Sequence, residues 1–359
     1  MSWRVVLYHL VRPLLFLLDP ERIHRITIDA LEVAGESPIG RALASFSSGA
    51  PKAPPDRWAE VAGLRLRSRV GIGAGWDKDG RALPGWAALG AGFVEVGTVT
   101  PMPQPGNPLP RIFRLPDDGA LINRLGFNSI GALPVARRVM LARRHLPPGF
   151  VVGINIGRNR DTPLERVTDD YLAAHRLLAP VADYLVINVS SPNTPHLRDL
   201  QDPGALRGLV EALAVAGEQL HCVRPIFVKL APDLEPEQRS AVMAMLLDAP
   251  AAGVVLSNST LARTGLRSTP ALVAEVGGLS GRPLLPGSLA IVAAARAQVG
   301  DRLAIIASGG IGTPDDAVAL RDAGADLVQL WTGLVYAGPG LLGDTVRAVD
   351  GQRFAAGSG

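Results

Sequence analysis

Short apolar runs alternate with Ala- and Leu-rich stretches of helical character along most of this chain. Such runs predict short buried strands, and the stretches between them predict helices. The predicted strands are Val70–Gly75, Phe93–Gly97, Val151–Ile156, Tyr184–Val189, Ile226–Leu230, Gly253–Ser257, Ala304–Ala307 and Leu327–Trp331. The predicted helices are 81–90, 133–144, 164–178, 204–219, 235–247, 288–298 and 314–323.

Strands that alternate with helices predict parallel βαβ units. Eight such units over ~250–300 residues favour an α/β fold of the closed (β/α)8 TIM barrel type over an open sheet. No Gly-x-Gly-x-x-Gly motif follows the first predicted strand. This weakens the alternative of a dinucleotide-binding open sheet.

Two short amphipathic helices are predicted ahead of the barrel. Residues 3–18 are strongly apolar but contain Arg4, Arg12 and Pro13, and they fall short of the ~20 apolar residues that span a bilayer. No small-residue cleavage site follows them, which argues against a signal peptide. The pair can pack on the barrel, or it can lie in a membrane interface through residues 1–35.

The second of these helices is predicted to begin with Asp19 as N-cap and Pro20 in first position, and to stop near Gly35. A stretch rich in Pro, Ser and Gly follows and predicts a linker. Glu60–Arg69 then predicts a hairpin. The expected order is a helical pair (1–45), a linker (46–58), the barrel (59–350) and a tail (351–359).

Composition narrows the class of protein. Hydrophobic residues make up 47% of the chain and charged residues 19%, enough for a large core without disorder except at the ends. The net charge is 36 − 33 = +3, too weak to indicate nucleic acid as a partner. Cys222 is the single cysteine, which excludes an internal disulfide and fits a reducing compartment. The histidines are scattered, so no metal site is predicted.

Candidate chemistry lies where the predicted strands end, because barrel enzymes carry their active sites at the C-terminal ends of the strands. Taken alone, an Asn there is usually a turn former and a Lys is usually solvated. Eight strand ends that carry amides, hydroxyls or an ammonium group together predict a site. They include Lys78, Thr98, Asn155, Asn188, Lys229, Ser257, Asn258, Ser259 and Thr332.

The stretch Asn188–Pro195 is the most unusual of these ends. Pro192 and Pro195 fix φ and remove backbone donors, so the strand must give way to a stiff turn. By itself the stretch is explained equally well by a tight surface turn. Together with the other ends it predicts one wall of a binding site.

A phosphate site is predicted at the last two strands, where this fold commonly binds phosphate. Ser308-Gly309-Gly310 lets the backbone approach a ligand closely, and a helix begins at Thr313 with free N–H groups. Gly281 can contribute to the same cradle. Since no metal site is predicted, redox chemistry would need an organic cofactor.

Several motifs in order resemble the dihydroorotate dehydrogenases, and more closely their membrane-associated, quinone-dependent class 2. They are Ala74-Gly75-Trp76-Asp77-Lys78-Asp79-Gly80, Gly97-Thr98-Val99-Thr100-Pro101, Asn123-Arg124-Leu125-Gly126-Phe127-Asn128, Gly153-Ile154-Asn155-Ile156-Gly157 and Asn188-Val189-Ser190-Ser191-Pro192-Asn193-Thr194. The resemblance runs from about residue 4 to about residue 347. It implies a (β/α)8 barrel with one FMN per chain and a helical pair that admits a quinone.

The resemblance also implies roles for individual residues. Ser191 would be the catalytic base that takes a proton from C5 of dihydroorotate, with Thr194 and Phe127 around it. Substrate would be held by Lys78, Asn123, Arg124, Leu125, Gly126, Phe127, Asn188, Asn193, Asn258 and Ser259. FMN would be lined by Ala74, Gly75, Trp76, Asp77, Lys78, Thr98, Asn155, Asn188, Lys229, Ser257, Gly281, Gly310, Trp331 and Thr332. His24 and Arg114 fall where the family contacts quinone.

Physical chemistry agrees with these roles and raises one difficulty. Asn side chains can match the amide edges of a pyrimidine, and Lys78 can pair with a carboxylate. The hydroxyl of Ser191 is a poor base and needs activation, for which Thr194 with a bound water is the candidate.

Three departures from the family pattern stand out. Trp331 occupies a position where tyrosine is frequent, Ser257 and Ser259 replace threonines, and Ala307-Ser308 replaces Gly-Val. None of them removes a catalytic group.

The resemblance implies oxidation of dihydroorotate to orotate in pyrimidine biosynthesis, by a monomer on the cytoplasmic face of a bacterial inner membrane. Two other interpretations stay open. One is a non-redox barrel enzyme, such as a Schiff-base aldolase that uses Lys229. The other is an idle barrel that residues 1–35 tether to a membrane as an interaction module.

Overall fold

The structure is a computed structural model and describes residues 2–194 and 196–351. Pro195 and the predicted tail from residue 352 onward lie outside the described residues. The strands are β1 (Ala59–Val61), β2 (Leu64–Leu66), β3 (Val70–Ile72), β4 (Phe93–Val99), β5 (Ile112–Leu115), β6 (Ala120–Asn123), β7 (Val151–Ile156), β8 (Tyr184–Asn188), β9 (Ile226–Leu230), β10 (Gly253–Leu256), β11 (Gly278–Gly281), β12 (Ala304–Ser308) and β13 (Leu327–Leu330).

The helices are α1 (Trp3–Phe16), α2 (Pro20–Glu36), α3 (Pro38–Ser48), α4 (Leu83–Leu89), α5 (Ala132–Ala142), α6 (Val167–Leu178), α7 (Pro203–Gln219), α8 (Pro236–Asp248), α9 (Pro270–Val273), α10 (Leu285–Val299), α11 (Pro314–Asp322), α12 (Thr332–Ala337) and α13 (Gly340–Gly351). Each helix predicted between strands is present, and its ends shift by a few residues.

Eight parallel strands close into a barrel in the order β3-β4-β7-β8-β9-β10-β12-β13. These are the eight strands predicted from the apolar runs, so the (β/α)8 fold is confirmed. The hairpin β1–β2 precedes the barrel, as predicted, and its Leu66 is fully buried.

The barrel interior is layered, because alternate residues of a strand point to the same side. The first inward layer is apolar and includes Phe93, Tyr184 and Phe227, which are fully buried. The rings of Tyr184 and Phe227 meet edge to face with centroids 5.2 Å apart. Glu95 and Lys229 lie two residues beyond Phe93 and Phe227, and Asn188 lies four residues beyond Tyr184 on the same face. The floor of the barrel is therefore hydrophobic, and polar groups begin directly above it.

The N-terminal extension has three helices, whereas the sequence predicted two. The third, α3, occupies residues that include the start of the predicted linker. Its signals are clear in retrospect: the Ser37 hydroxyl accepts from the Gly40 N–H (3.0 Å), Pro38 takes the first position, and Gly49 ends the helix with φ +65°. The Ser and Gly content that suggested a linker belongs to the end of this helix.

Gly35 does not stop α2, which continues through Glu36. This glycine serves packing instead, because a Cβ at Gly35 would lie 2.7 Å from the Gly85 nitrogen, and one at Gly85 would lie 2.3 Å from the Leu31 carbonyl oxygen. Two facing glycines thus allow α2 to lie directly against α4. The extension is packed on the barrel through this contact.

A three-stranded antiparallel sheet, β5-β6-β11, was not predicted. It joins the connection after β4 to the connection after β10, with Gly278 opposite Asn123. Its strands have four residues each, too few to show a clear alternation in the sequence. The sheet brings Asn123 to the C-terminal mouth of the barrel.

Candidate active site

A hydrogen-bonded group of charged and amide side chains lies above the apolar floor. The Glu95 carboxylate is fully buried and faces the Lys229 ammonium, with Oε1 and Nζ 3.3 Å apart. Asn155 Nδ2 donates to Glu95 Oε1 (2.7 Å), and Gln329 Nε2 donates to Oε2 (2.5 Å). A buried charge needs such partners, so Glu95 holds Lys229 inside the barrel.

Glu95 and Gln329 were missed by sequence reasoning. The signal was available, since each is a polar residue in the middle of an apolar strand, two positions beyond Phe93 and Leu327 respectively. A period of two places such residues on the inner face of the barrel.

The amides at the ends of β7 and β8 form a second set of bonds. Thr98 Oγ1 donates to Asn155 Oδ1 (2.6 Å), while Asn188 Nδ2 donates to Thr98 Oγ1 (2.8 Å) and to Asn155 Oδ1 (3.1 Å). All three side chains are buried. The bonds fix the orientation of each amide, and Asn155 lies behind the surface that a ligand would touch.

A cleft of about 970 Å³, including its open mouth, occupies the C-terminal end of the barrel. Most residues predicted for substrate and FMN line it: Ala74, Gly75, Lys78, Thr98, Asn123, Leu125, Gly126, Phe127, Asn188, Ser191, Asn193, Lys229, Ser257, Asn258, Ser259, Gly281, Gly310, Trp331 and Thr332. Ser280, Leu284 and Gln329 also line it, although they were not predicted. Gln329 interrupts an apolar strand, whereas no sequence motif marks Ser280 or Leu284.

Besides Asn155, four residues of the predicted catalytic, substrate and FMN set lie outside the cleft lining. The Asp77 carboxylate accepts from the N–H groups of Arg81 (2.7 Å) and Ala82 (2.8 Å), and burial raises its pKa to about 6. Arg124 pairs with Glu275 (2.6 Å), outside the cleft lining. Thr194 is buried, and the cleft lining does not include it.

Trp76 is the fourth, and its ring packs against Trp331 instead of lining the cleft. Its indole Nε1 donates to the Trp331 carbonyl (3.1 Å), and the two rings are 5.2 Å apart. The Trp331 Nε1 in turn donates to the Ala74 carbonyl (3.0 Å). Trp331 therefore lines the cleft on one side, while the Trp76 ring lies behind it, tilted by 38°.

The Ser191 loop is held at several points. Ser191 Oγ accepts from the Asn193 N–H (3.2 Å), and Asn193 Nδ2 donates to the Asn123 carbonyl (3.2 Å). Asn258 Nδ2 donates to Ser190 Oγ (2.9 Å). Among the described residues, no hydrogen bond joins the Ser191 hydroxyl to Thr194.

Lys78 projects into the cleft from the connection after β3. Its ammonium donates to Asn128 Oδ1. Burial, followed by the nearby charge of Arg111, lowers the pKa of Lys78 to about 8. Lys78 is therefore an anion-binding group that can lose its charge at moderately alkaline pH.

The glycines predicted for phosphate fit that role. Gly281 and Gly310 have φ of +107° and +90°, and a Cβ at Gly310 would lie 2.5 Å from the Leu285 Cα. Side chains are thus excluded where a ligand would meet backbone N–H groups. Thr332 Oγ1 donates to Ser280 Oγ (2.9 Å) at the same edge. The free N–H groups predicted at the helix start are not free, because the Thr313 N–H donates to Asp316 Oδ2 (2.8 Å) in a capping box, so the cradle for a phosphate consists of the glycine loops.

A second cavity, of about 1630 Å³ including its open mouth, lies beneath the N-terminal helices and is mainly apolar. We call it the tunnel. It runs between α2 and the barrel and ends at Trp76 and Trp331, with His24 and Arg114 in its wall. Trp331 is common to the tunnel and the cleft.

The two residues predicted for quinone are both in the tunnel wall. His24 Nε2 bonds to the Trp76 carbonyl (2.8 Å), and burial lowers the pKa of His24 to about 4. Arg114 donates through Nη1 to the carbonyls of Phe16 and Leu18 (2.9 Å each). Its Nη2 is buried without a hydrogen-bond partner among the described residues.

Large apolar side chains are exposed on the three N-terminal helices. They include Leu10 (72%) and Leu14 (67%) on α1, Ile39 (75%) and Phe46 (63%) on α3. Within the described ranges, no helix is long and apolar enough to cross a membrane.

Comparison with known proteins identifies the family of this chain. The sequence model of the dihydroorotate dehydrogenase family matches residues 58–349. Proteins named dihydroorotate dehydrogenase (quinone) from Burkholderia thailandensis and Roseiflexus sp. are 46% and 47% identical. These matches cover 96% and 94% of this chain, and 97% and 92% of those proteins. The crystal structure of the Eimeria tenella enzyme with ferulenol is 34% identical with a TM-score of 0.85, covering 96% of each chain.

Proposed function

This chain belongs to the dihydroorotate dehydrogenase family, in its quinone-dependent class, and we propose that it oxidises dihydroorotate to orotate in pyrimidine biosynthesis. FMN is the proposed cofactor and a membrane quinone the electron acceptor. The observation that carries the proposal is that Ser191 and Lys78 line one cleft with Asn123, Asn193 and Asn258. These groups complement a flat ring that has amide edges and one carboxylate.

Substrate orientation follows from the charge and amide pattern of the cleft. Lys78 would meet the carboxylate, and the amides would pair with the ring edges. Asn188, Ser259 and the backbone at Leu125–Phe127 complete the surface around the ring. Because these groups are already held by the protein, the ring binds in one orientation, with C5 facing Ser191.

Ser191 would take the C5 proton as the bond between C5 and C6 becomes double. A serine hydroxyl needs help to do so. The Asn193 N–H, which donates to Ser191 Oγ (3.2 Å), stabilises negative charge on that oxygen. Phe127, buried beside the loop, helps to keep bulk water out. Thr194, with a water, remains a candidate for the path by which the proton leaves.

FMN, when bound, supplies the acceptor for the hydride that leaves C6. Residues that would hold it line the inner part of the cleft and its phosphate edge: Ala74, Gly75, Thr98, Lys229, Ser257, Gly281, Gly310, Trp331 and Thr332. Asn155 would act from behind by orienting Thr98 and Asn188. The contact of Lys229 Nζ with Glu95 Oε1 (3.3 Å) also speaks against the aldolase interpretation, because the nitrogen is already engaged and is not free to attack a carbonyl.

The tunnel is the proposed path for the quinone. Its apolar wall suits a lipid-soluble ring, and the unpartnered Nη2 of Arg114 is a donor for a quinone carbonyl. His24 would stay neutral at physiological pH because its pKa lies near 4. The indole of Trp331 separates this path from the cleft, so each substrate has its own entrance.

Peripheral association with the cytoplasmic face of an inner membrane is proposed for the N-terminal helices. Exposed Leu10, Leu14, Ile39 and Phe46 give them an apolar surface suited to a lipid interface. The tunnel opens among the same helices, so a quinone could enter from the bilayer. A monomer meets all these requirements, since every proposed site residue comes from one chain.

The visible spectrum of the purified protein tests the proposal. We expect a yellow protein whose flavin absorbance is bleached by dihydroorotate without oxygen and restored by a soluble quinone. A flavin that dihydroorotate cannot bleach would refute the substrate assignment. Bleaching without reoxidation by quinone would refute only the acceptor. A colourless protein that borohydride traps with a carbonyl substrate would favour the aldolase.

A further inference from the structure

Arg198 lies outside the cleft lining, on the short turn Leu197–Gln201 that follows the Ser191 loop. Its guanidinium donates in three directions. Nε donates to the Ser190 carbonyl (3.0 Å), Nη1 to Asp233 Oδ2 (2.8 Å), and Nη2 to the Ser259 carbonyl (3.3 Å). These partners follow β8, β9 and β10 respectively, so one side chain joins three neighbouring connections.

Asp233 extends the same arrangement. Its carboxylate accepts from Thr260 Oγ1 and from the Leu261 N–H (3.2 Å). The connection after β10 is thereby bound twice, once by Arg198 directly and once through Asp233. Gln201 adds a link to β9, because its Oε1 accepts from the Ala231 N–H (2.8 Å).

The carbonyls that Arg198 holds are next to the groups proposed for chemistry. Ser190 directly precedes Ser191, and Ser259 directly follows Asn258. Asn258 Nδ2 also donates to Ser190 Oγ (2.9 Å), so the two segments touch on the cleft side as well. Movement of either carbonyl would change the distance between the base and the substrate-binding amide.

Only a guanidinium meets these demands. Its N–H groups lie in one plane with fixed directions, and they can serve two carbonyls and a carboxylate at once. The side chain is 22% exposed, which leaves the Asp233 pair partly shielded from solvent. A lysine at this position has a single nitrogen and cannot reach three connections in one orientation.

We propose that Arg198 is a positioning residue, which fixes Ser191 and Asn258 relative to each other for oxidation of the substrate. This inference rests on the proposed function. Arg198 is not part of the tunnel wall, so its effect is confined to the reaction with dihydroorotate. The reaction with quinone does not depend on it.

Single-turnover kinetics of Arg198→Met and Arg198→Lys test the proposal. Displacement of a reacting group by about 1 Å can cost about 100-fold in rate, so we expect flavin reduction by dihydroorotate to slow by about 10- to 100-fold in both variants. Reoxidation of the reduced protein by quinone should keep its rate. The control is Arg207→Met, which removes an exposed arginine paired with Glu211 on α7.

Amide hydrogen exchange provides a readout that needs no substrate. We expect faster exchange in Arg198→Met at 188–194 and 257–262, with α10 unchanged. If Arg198→Met fails to fold, Asp233→Asn is used in its place, because it removes the negative charge that pairs with Arg198. A wild-type protein that dihydroorotate cannot reduce would refute the proposed function, and the exchange data would still decide the role of Arg198.

Two results would overturn the inference. One is unchanged flavin reduction in Arg198→Met together with unchanged exchange in both segments. The other is an equal slowing of reduction and reoxidation, which would mean a general loss of structure rather than a displaced base.

Discussion

The cleft and the tunnel share the indole of Trp331 as a wall, but their linings differ. The cleft is lined by amides, hydroxyls, two lysines and glycines, and many of its polar atoms have a named partner. The tunnel is lined mostly by aliphatic and aromatic side chains, with Tyr8, His24 and Arg114 as its charged or ionisable members. The geometry of the cleft is therefore held by hydrogen bonds, whereas the tunnel is defined by the shape of its apolar wall.

This difference has a physical reason. A buried polar group that lacks its partner costs about 1–3 kcal/mol, so each member of the cleft depends on particular neighbours. An apolar wall tolerates exchange of one hydrophobic side chain for another of similar volume. Substitutions in the cleft should therefore act on chemistry, whereas substitutions in the tunnel should act on access.

The largest effect is expected at Ser191. Replacement by alanine removes the proposed base, and general base catalysis contributes about 10²- to 10⁴-fold. The rate of flavin bleaching by dihydroorotate in Ser191→Ala should fall within that range, while quinone still reoxidises the chemically reduced protein. Ser240→Ala, an exposed serine on α8, is the matched control. A full rate in Ser191→Ala would remove the serine from the mechanism.

The next effect concerns the exposed apolar side chains of the N-terminal helices, which we propose to contact lipid. Leu10→Glu with Leu14→Glu should weaken binding to phospholipid vesicles by at least about 100-fold, because each buried leucine contributes ~1.5–3 kcal/mol. Sedimentation with vesicles measures this. Val215→Glu with Val223→Glu changes apolar residues that are 50% and 69% exposed on the barrel side, and binding should persist. Equal loss in both pairs would place the lipid contact elsewhere.

A smaller, graded effect is expected from pH at Lys78. Its pKa of about 8 means that the ammonium is present below that pH and is lost above it. The dissociation constant of orotate should rise about tenfold per pH unit above pH 8, since only the charged form pairs with the carboxylate. Titration of the flavin spectrum with orotate measures the constant. In Lys78→Met the constant should be high and independent of pH, and a pH-independent wild type would contradict the role.

The smallest effect should come from narrowing the tunnel. Ala30 lies in its wall, and phenylalanine there should raise the KM for quinone by about tenfold, since overpacking typically costs about 1–3 kcal/mol. Bleaching by dihydroorotate should not change. Ala294→Phe, an exposed position on α10, controls for the added ring. If both half-reactions slowed in Ala30→Phe, the separation of cleft and tunnel would be wrong.

The cleft was largely visible in the sequence. Ser191, Asn188 and Lys229 end apolar runs, and the closed barrel brings such ends to one rim. The sequence did not show which side chains of a motif point into the cleft and which point away from it. Asp77 and Arg124 belong to the same motifs as Lys78 and Asn123, but they bond to Ala82 and Glu275 outside the cleft.

The extension was less visible. Ser37, Pro38 and Gly49 mark the bounds of α3, yet the Ser and Gly content of its end suggested a linker. Gly35 was expected to end α2. In the sequence, a glycine that allows close packing against a facing backbone looks the same as a glycine that ends a helix. The tunnel also left no motif, since apolar residues at helical spacing predict a packed face as readily as a cavity wall.

The sequence by itself determined the eight-stranded barrel, the polar rim and the family, because strand period and motif order are local properties of the chain. Only the tertiary structure decided the pairing of Glu95 with Lys229, the hydrogen bonds by which Arg198 joins three connections, and the tunnel that ends at Trp331. Each of these joins residues far apart in the chain. Their distances are fixed by closure of the barrel and by the packing of α2 on α4, which no local pattern encodes.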